Sequence, residues 1–362
     1  MHKNKPYMLG RNMYPFKNSS PFVLNRWYIA AFSDEITRTP FERTILDKRI
    51  VFYRSMAGRV VAMYGICPHR YFPLARGRVD GDQIICGYHG FVFEADGKCS
   101  AIPSQGTGTN FCQPTYHIEE RGPFCWIWMG NEELCDVTLI PPYEDFGLCE
   151  PGWHFSSQNY FPIKGRAQLL IDNLMDLTHL PYLHFHIDGG ENMKSMPMRE
   201  EERLTSYRLI RTGKLPWGGF HGLLWGAENK YEGLADWESI TDFYGPELIR
   251  TNMPLFTKIP GYEHVPPELG HLHILHGITP ETANSSHYFG LSNRNFRLQD
   301  AGLDSFQLES DKKIRLQDIA AIEAIEPFAE KAASIQQELL AKSDIPAAKV
   351  RRKIEKMLEN QL

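Results

Sequence analysis

No cysteine follows Cys149 in a chain of 362 residues, so more than half of the sequence has nothing to staple. The seven cysteines, at 67, 86, 99, 112, 125, 135 and 149, are odd in number and confined to the N-terminal part. That pattern argues against a secreted disulfide framework. Long apolar runs are missing too: nothing approaches the ~20 residues of a membrane span, and the basic stretch Met1 to Asn12 has no apolar segment after it. No membrane partner is expected, and the chain reads as cytoplasmic. An excess of positive charge is also lacking. The net charge of -5 and a pI near 6.3 carry no nucleic-acid signature. Repeats and low-complexity tracts are absent. What is present is ample apolar material, 42% hydrophobic and 12% aromatic, enough for two domain cores.

The cysteine distribution suggests a boundary near residue 150, with one domain over 1–150 and a second over 151–362. In the first, the runs 26–30, 49–53, 60–64 and 123–128 are short, β-branched and aromatic, and turn residues separate them. They predict a small antiparallel β domain. In the second, a helix is expected from about Arg166 to Leu180, strands from about Ser206 to Arg297, and helices thereafter. The charged segment from Ile345 onward is expected to be helical and to pack on the outside or against a partner.

Two cysteine-histidine pairs, Cys67-Pro68-His69 and Cys86-Gly87-Tyr88-His89, stand with sixteen residues between them. Each offers a soft thiolate and an imidazole from a tight loop. Two such loops face to face make a mixed Cys2His2 site, for which tetrahedral zinc is one reading. The other is a Rieske 2Fe-2S cluster, with cysteines Cys67 and Cys86 on one iron and histidines His69 and His89 on the second. The flanking Arg70 and Gly90 favour the cluster, since both runs resemble Rieske loops in spacing and composition. Histidine ligation would raise the potential of the outer iron and suit it to electron relay. Tyr88 either donates a hydroxyl toward the cluster or merely packs the loop. The remaining cysteines are read as ordinary reduced thiols.

A second constellation begins at Asp172-Asn173-Leu174-Met175-Asp176 and continues through His179 to His184. On a continuous helix Asp172, Asp176 and His179 would share one face. Pro181 is expected to end or kink that helix and let His184 swing back. Two histidines beside carboxylates suggest a metal, although a solvated polar face has the same composition. A third ligand is offered by Asp318, which falls in line with Ile314, Ile322 and Ile325 and away from Arg315 and Glu323. A buried carboxylate must be paired. His179, His184 and Asp318 would form the two-histidine, one-carboxylate triad that binds non-haem Fe(II) and leaves positions open for O2 and substrate. Glu309 and Asp311 are weaker alternatives.

With these motifs in this order, the chain resembles the oxygenase component of Rieske non-haem iron oxygenases over nearly its whole length. It is most similar to the vanillate O-demethylase-like branch. The entry run Asn25 to Ala30, the pair Asp172-Asn173 and the strands His276 to Thr282 and His287 to Phe289 carry that placement. Gly87 and Phe91 depart from a Pro and a Trp common at these places. The resemblance implies an α+β fold, an N-terminal antiparallel β Rieske domain followed by a helix-grip catalytic domain. It implies a homotrimer in which one subunit's cluster lies near its neighbour's mononuclear iron. In that arrangement Asp176 would accept hydrogen bonds from His179 and, across the interface, from His89. It further implies electrons from NAD(P)H through a reductase or ferredoxin, and O2 spent on hydroxylating or O-demethylating a small aromatic acid or ether. Ring cis-dihydroxylation or hydroxylation of a non-aromatic compound such as a steroid or amine is the alternative, and an electron-transfer or zinc-stabilised binding protein without oxygenase chemistry is a remoter one.

Substrate contacts are less determined. Asn173 resembles a family asparagine close to the iron. Asn252 and His273 lie among the strands expected to form the pocket, where they either hold a carboxylate or phenol or simply face outward with His271. Trp217, Phe220, Trp225 and Phe256 either line a cavity or fill the core.

Overall fold

The computed structural model describes residues 22–148, 150–185, 190–216, 219–226, 231, 233–266, 269–335 and 338–361. They divide into two compact units, Leu24–Ile140 with the tip Thr279–Ala283, and the chain from Pro141 onward with Val23.

The first unit is built of ten strands: β1 (Arg26–Phe32), β2 (Phe41–Ile45), β3 (Lys48–Arg54), β4 (Val60–Tyr64), β5 (Arg78–Asp80), β6 (Gln83–Ile85), β7 (Val92–Phe93), β8 (Cys99–Ala101), β9 (Ile118–Arg121) and β10 (Phe124–Met129). They pair as three antiparallel sheets, β1-β10-β9, β2-β3-β4 and β5-β6-β7-β8. The four runs singled out in the sequence fall in β1, β3, β4 and β10. β10 is central in its sheet and buried at every position, so it reads as an unbroken apolar run and not as an alternation. Cys99, Cys112, Cys125 and Cys135 are free thiols, and burial pushes Cys125 well above the ordinary thiol range, which leaves it inert. Cys149 lies outside the described residues.

The second unit is α+β. Strands β11 (His154–Ile163), β12 (Met198–Glu202), β13 (Tyr207–Pro216), β14 (Leu234–Gly245), β15 (Leu248–Lys258), β16 (Leu272–Thr282) and β17 (Ser285–Arg294) form one antiparallel sheet in the order β11-β17-β16-β15-β14-β13-β12. The helices are α1 (Ala167–Met175), α2 (Leu180–Leu183), α3 (Gly190–Met193), α4 (Gly219–Trp225), α5 (Ala301–Ile335) and α6 (Ile345–Glu359). Leu170, Ile171, Leu174 and Met175 place one face of α1 in a core that also takes Ile319 and Ile322 from α5 and Leu209, Phe243, Ile249 and Ile278 from the sheet. Each such side chain contributes roughly 1.5–3 kcal/mol.

Helix α6 departs from expectation. It is not on the outside: Ala347, Val350, Ile354 and Leu358, three and four residues apart, enter that same core. Its charge is accommodated by buried Arg351, which grips Asp172 of α1 through Nε and Nη2 at 2.7–3.1 Å and reaches Glu338 at 2.6 Å. Asp172 therefore turns toward α6 and does not share a face with the histidines. Truncating one member of a buried pair strands the other charge, which costs about 3–5 kcal/mol. Arg351→Ala is accordingly expected to lower the urea midpoint steeply. The double variant Arg351→Met with Asp172→Leu should recover most of that loss.

The buried face of α5 also differs from the apolar line expected. Ile325 is exposed, whereas Gln307, Arg315, Asp318 and Glu326 are buried alongside Ile322. Polar residues occupy this face because they meet partners there: Gln307 binds Arg294 at 2.7 Å and Glu326 binds Arg166 at 2.6 Å.

Candidate functional site

The two cysteine-histidine loops of the first unit are built alike. In one, the Cys67 N–H donates to Phe72 O and the Tyr71 N–H to Cys67 O; in the other, Cys86 donates to Phe91 O and Gly90 to Cys86 O. The fourth residue after each cysteine is left-handed, with φ of 57° at Tyr71 and 72° at Gly90. The second loop is the tip of the β6–β7 hairpin, and the first is closed by an Ile66–Pro73 bridge. A side chain at Gly87 would come within 2.5 Å of Arg76 O, which accounts for glycine there. Cys67 and Cys86 are buried, and burial with the adjacent Cys86 thiol pushes Cys67 up to about 11. The His69 and His89 rings stand exposed, 4.5 Å apart, with Phe91 stacked on His69 at 4.6 Å. Tyr88 packs on His89 at 3.9 Å and on Phe72 at 5.6 Å. Buried thiols behind exposed imidazoles suit a cluster with cysteines inside and histidines outside.

His179, His184 and Asp318 form a set of three donors whose atoms all lie within 4.8 Å of one another. The chain reaches it by a break in the expected helix. α1 ends at Met175, and Asp176 takes extended angles, φ -120° and ψ 103°. Its carboxylate accepts from Thr178 N at 2.9 Å and Thr178 Oγ1 at 3.0 Å, capping a 3-10 turn over Leu177–His179. Pro181 sits in the first turn of α2, where its missing N–H costs nothing, so it starts a helix instead of ending one. His179 and His184 thus flank a one-turn helix. The His179 Nδ1–H donates to the main-chain oxygen of Asp176 at 2.7 Å, not to its carboxylate as expected, because that carboxylate is engaged by Thr178. The His184 Nδ1–H donates to Gln317 Oε1 at 2.9 Å.

With both Nδ1 atoms acting as donors, both Nε2 atoms point at Asp318 Oδ1, at 3.5 Å from His179 and 3.0 Å from His184. Asn173 Nδ2 donates to the same oxygen at 3.2 Å. Burial holds His179 below its ordinary range. In His184 burial acts the same way but is outweighed by the Asp318 hydrogen bond and charge, which raise it. Two imidazole Nε2 atoms and a carboxylate converging at 2% (His184) and 4% (Asp318) exposure fit a divalent cation held by outer hydrogen bonds. Glu309 is exposed and Asp311 is engaged by Ser157 and Ser292, so neither competes.

The triad opens on a cavity of about 110 Å³ walled by α1, α2, α5 and the sheet, with Leu174, Leu177, Leu272, Ile274 and Ile314 on its apolar side. Asn173 lines it. Asn252 and His273 do not. They pair across β15 and β16, and the alternation that puts Thr251, Ile274 and His276 into the cavity turns these two to the opposite face. There His273 packs against Trp153, ring centroids 4.6 Å apart and tilted, and is pushed down to about 3 by burial and by Arg250. Trp225 packs against Phe256 and Phe296 in a core cluster. Trp217 lies outside the described residues, as does the side chain of Phe220. Thr251, His276, Tyr288, Arg315 and Gln317 went unassigned in the sequence. For His276 the signal was its parity with Leu272 and Ile274, and for Gln317 its place directly before Asp318.

Residues 26–117 match the Rieske [2Fe-2S] domain, and residues 163–360 match the vanillate O-demethylase oxygenase C-terminal domain. A vanillate O-demethylase oxygenase subunit of a Pseudomonas species is 34% identical over 83% of this chain and 85% of its own length. The dicamba O-demethylase oxygenase component of Stenotrophomonas maltophilia is 32% identical over 93% of this chain and 98% of that protein. A toluene-4-sulfonate monooxygenase iron-sulfur subunit of Comamonas testosteroni is 34% identical over 78% and 81%. The structure of dicamba monooxygenase bound to 3,6-dichlorosalicylic acid superposes with a TM-score of 0.82 at 27% identity, covering 94% of this chain and 98% of the other.

Proposed function

We infer, from a chain that belongs to the Rieske non-haem iron oxygenases in their vanillate O-demethylase branch, that the buried cavity beside the triad is where a small aromatic acid or ether is oxidised. The protein is the oxygenase component of a multicomponent system. It is an oxidoreductase that works with a 2Fe-2S cluster and a mononuclear iron, and takes its electrons from a reductase or ferredoxin. In our reading residues 1–150 carry the cluster, through Cys67, His69, Cys86 and His89, and residues 151–362 carry the iron, through His179, His184 and Asp318. The observation that supports this most is the set of three donors within 4.8 Å on the wall of the cavity. Iron bound there supplies O2 activation, which places one oxygen atom in a substrate C–H bond and releases the other as water. On an O-methyl group the product is a hemiacetal that loses formaldehyde, at a cost of one O2, two electrons and two protons.

The protein's own residues prepare that chemistry. The Asp176 carbonyl and Gln317 fix both imidazoles with Nε2 forward, Asn173 orients Asp318, and the leucine and isoleucine wall keeps water from the reacting centre. The finer assembly we propose is a cytoplasmic homotrimer in which Asp176 also accepts a hydrogen bond from His89 of a neighbouring subunit. No helix among the described residues is long and apolar enough to cross a membrane.

The test uses purified protein with a surrogate NADH-dependent reductase and a series of methoxybenzoates. Formaldehyde and the matching phenol are expected in step with NADH oxidation, from a brown protein holding about three irons and two sulfides per chain. Cys86→Ser should lose both the visible bands and the formaldehyde. Stoichiometric zinc without colour, or NADH oxidation that yields no oxygenated product from any aromatic ether or acid, would overturn the reading.

A further inference from the structure

Arg315 is a buried cation with no acid to hold it. It is 2% exposed, lines the cavity, and makes no ion pair within 4.0 Å among the described residues. The nearby carboxylates are committed elsewhere: Asp318 to His184, His179 and Asn173, and Asp311 to Ser157 and Ser292. Half of the guanidinium is occupied, since Nη1 donates to Tyr288 Oη and to His276 Nδ1, the latter at 3.1 Å. Arginine donates only, so His276 Nδ1 must accept, and its Nε2–H then donates to Thr251 Oγ1 at 3.0 Å. His276 is thereby a neutral ring and brings no charge of its own. The other half, Nε and Nη2, is buried and has no partner. These two atoms form one edge of the fork, with parallel N–H bonds that match the two oxygens of an oxyanion.

We propose that Arg315 is the specificity residue of this cavity, and that substrate enters as an aromatic oxyanion, a carboxylate or sulfonate, gripped side-on by Nε and Nη2. The proposal rests on the reading of the cavity as the substrate site. A buried guanidinium half paired with neutral groups is left poorly compensated, and an anion of the right shape supplies what is missing. The sheet makes room for the guanidinium: a side chain at Gly290 would lie 2.4 Å from Arg315 Nε and Cζ. Tyr288 beneath the guanidinium, its ring centroid 4.9 Å from Cζ, holds the fork in place.

The experiment measures binding to the oxidised holoprotein, without turnover, for 4-methoxybenzoate, 4-methoxybenzenesulfonate and the neutral methyl 4-methoxybenzoate. Wild type should prefer at least one of the anions over the ester. Arg315→Gln should weaken that anion about 100-fold, as loss of a buried charge-paired hydrogen bond does, and leave the ester within about threefold. Arg315→Lys should fall between, keeping the charge but losing the fork. Gly290→Ala, which displaces the guanidinium without removing it, should repeat the Gln pattern. An unchanged visible spectrum and iron content certify folding. Carboxylate preferred over sulfonate, or the reverse, identifies which oxyanion fits, and either result supports the proposal. Equal affinity for acid and ester in wild type, or equal loss of both in Arg315→Gln, would overturn it. If the ester is demethylated as well as the acid, the oxygenase reading stands and Arg315 falls. If the anions bind through Arg315 but no aromatic is ever oxygenated, the reverse holds.

Discussion

Asp318→Ala is expected to leave a coloured, folded protein with about two of its three irons and no oxygenation. The carboxylate is the one anionic donor in the triad, and both Nε2 atoms point at its Oδ1 at 3.0 and 3.5 Å. Without it the two imidazoles offer a neutral, two-point site, too weak for Fe(II), which favours mixed nitrogen and carboxylate ligation. The loss of turnover should exceed the 10–100-fold that removal of an outer hydrogen-bond partner typically brings. The cluster loops belong to the other unit, so the visible spectrum should persist. Metal analysis, the visible spectrum and formaldehyde release on the same preparation decide the matter. An Asp318→Ala protein that keeps all its iron and its activity would move the carboxylate ligand elsewhere.

The triad and the cluster loops were legible because their information is local. A cysteine and a histidine two or three residues apart, and two histidines five residues apart, bring their own geometry with them; only Asp318 had to come from a distance, and its place beside Ile322 on α5 marked it. The α+β order was legible too, from alternating β-branched runs followed by helical periodicity. What misled was charge and parity. Arg351 and Arg315 read as surface residues, yet one meets Asp172 across 179 residues and the other Tyr288 and His276. Pairwise partners so distant in sequence leave no periodic trace. Asn252 and His273 failed for a different reason: a strand shifted by one residue presents its other face, so Thr251 and His276 lie in the cavity in their place. Asp176 was assigned to a helix because Asp-x-x-His fits one, but an aspartate that can cap its own turn through Thr178 competes with helix continuation.

Asp176→Asn is expected to give a protein that assembles, binds both metals and reduces its cluster at the normal rate, yet reoxidises that cluster far more slowly. Asparagine also caps turns, so the break after Met175 and the 3-10 turn that presents His179 should survive. The charge is what disappears. In the native chain the carboxylate spends one bond on Thr178 N and one on Thr178 Oγ1. A carboxylate has about four lone-pair sites, so acceptor capacity remains for an N–H from His89 of a neighbouring subunit. Asparagine has one acceptor oxygen, already claimed by the Thr178 N–H, and its amide would point donors at a donor. Behind it, Arg211 binds Met175 O at 2.8 Å, and burial lowers this guanidinium to about 10 with Asp176 working against the drop. Removing the aspartate charge therefore weakens the hold on that positive charge as well. A slowing of about 10–100-fold is the scale for an outer-shell carboxylate. Single-turnover kinetics of the reduced protein with 4-methoxybenzoate and O2 measure it, alongside the oligomeric state in solution. Cluster reoxidation at the wild-type rate in Asp176→Asn, or a monomeric preparation as active as an oligomeric one, would remove the proposed cross-subunit route while leaving the two metal sites intact.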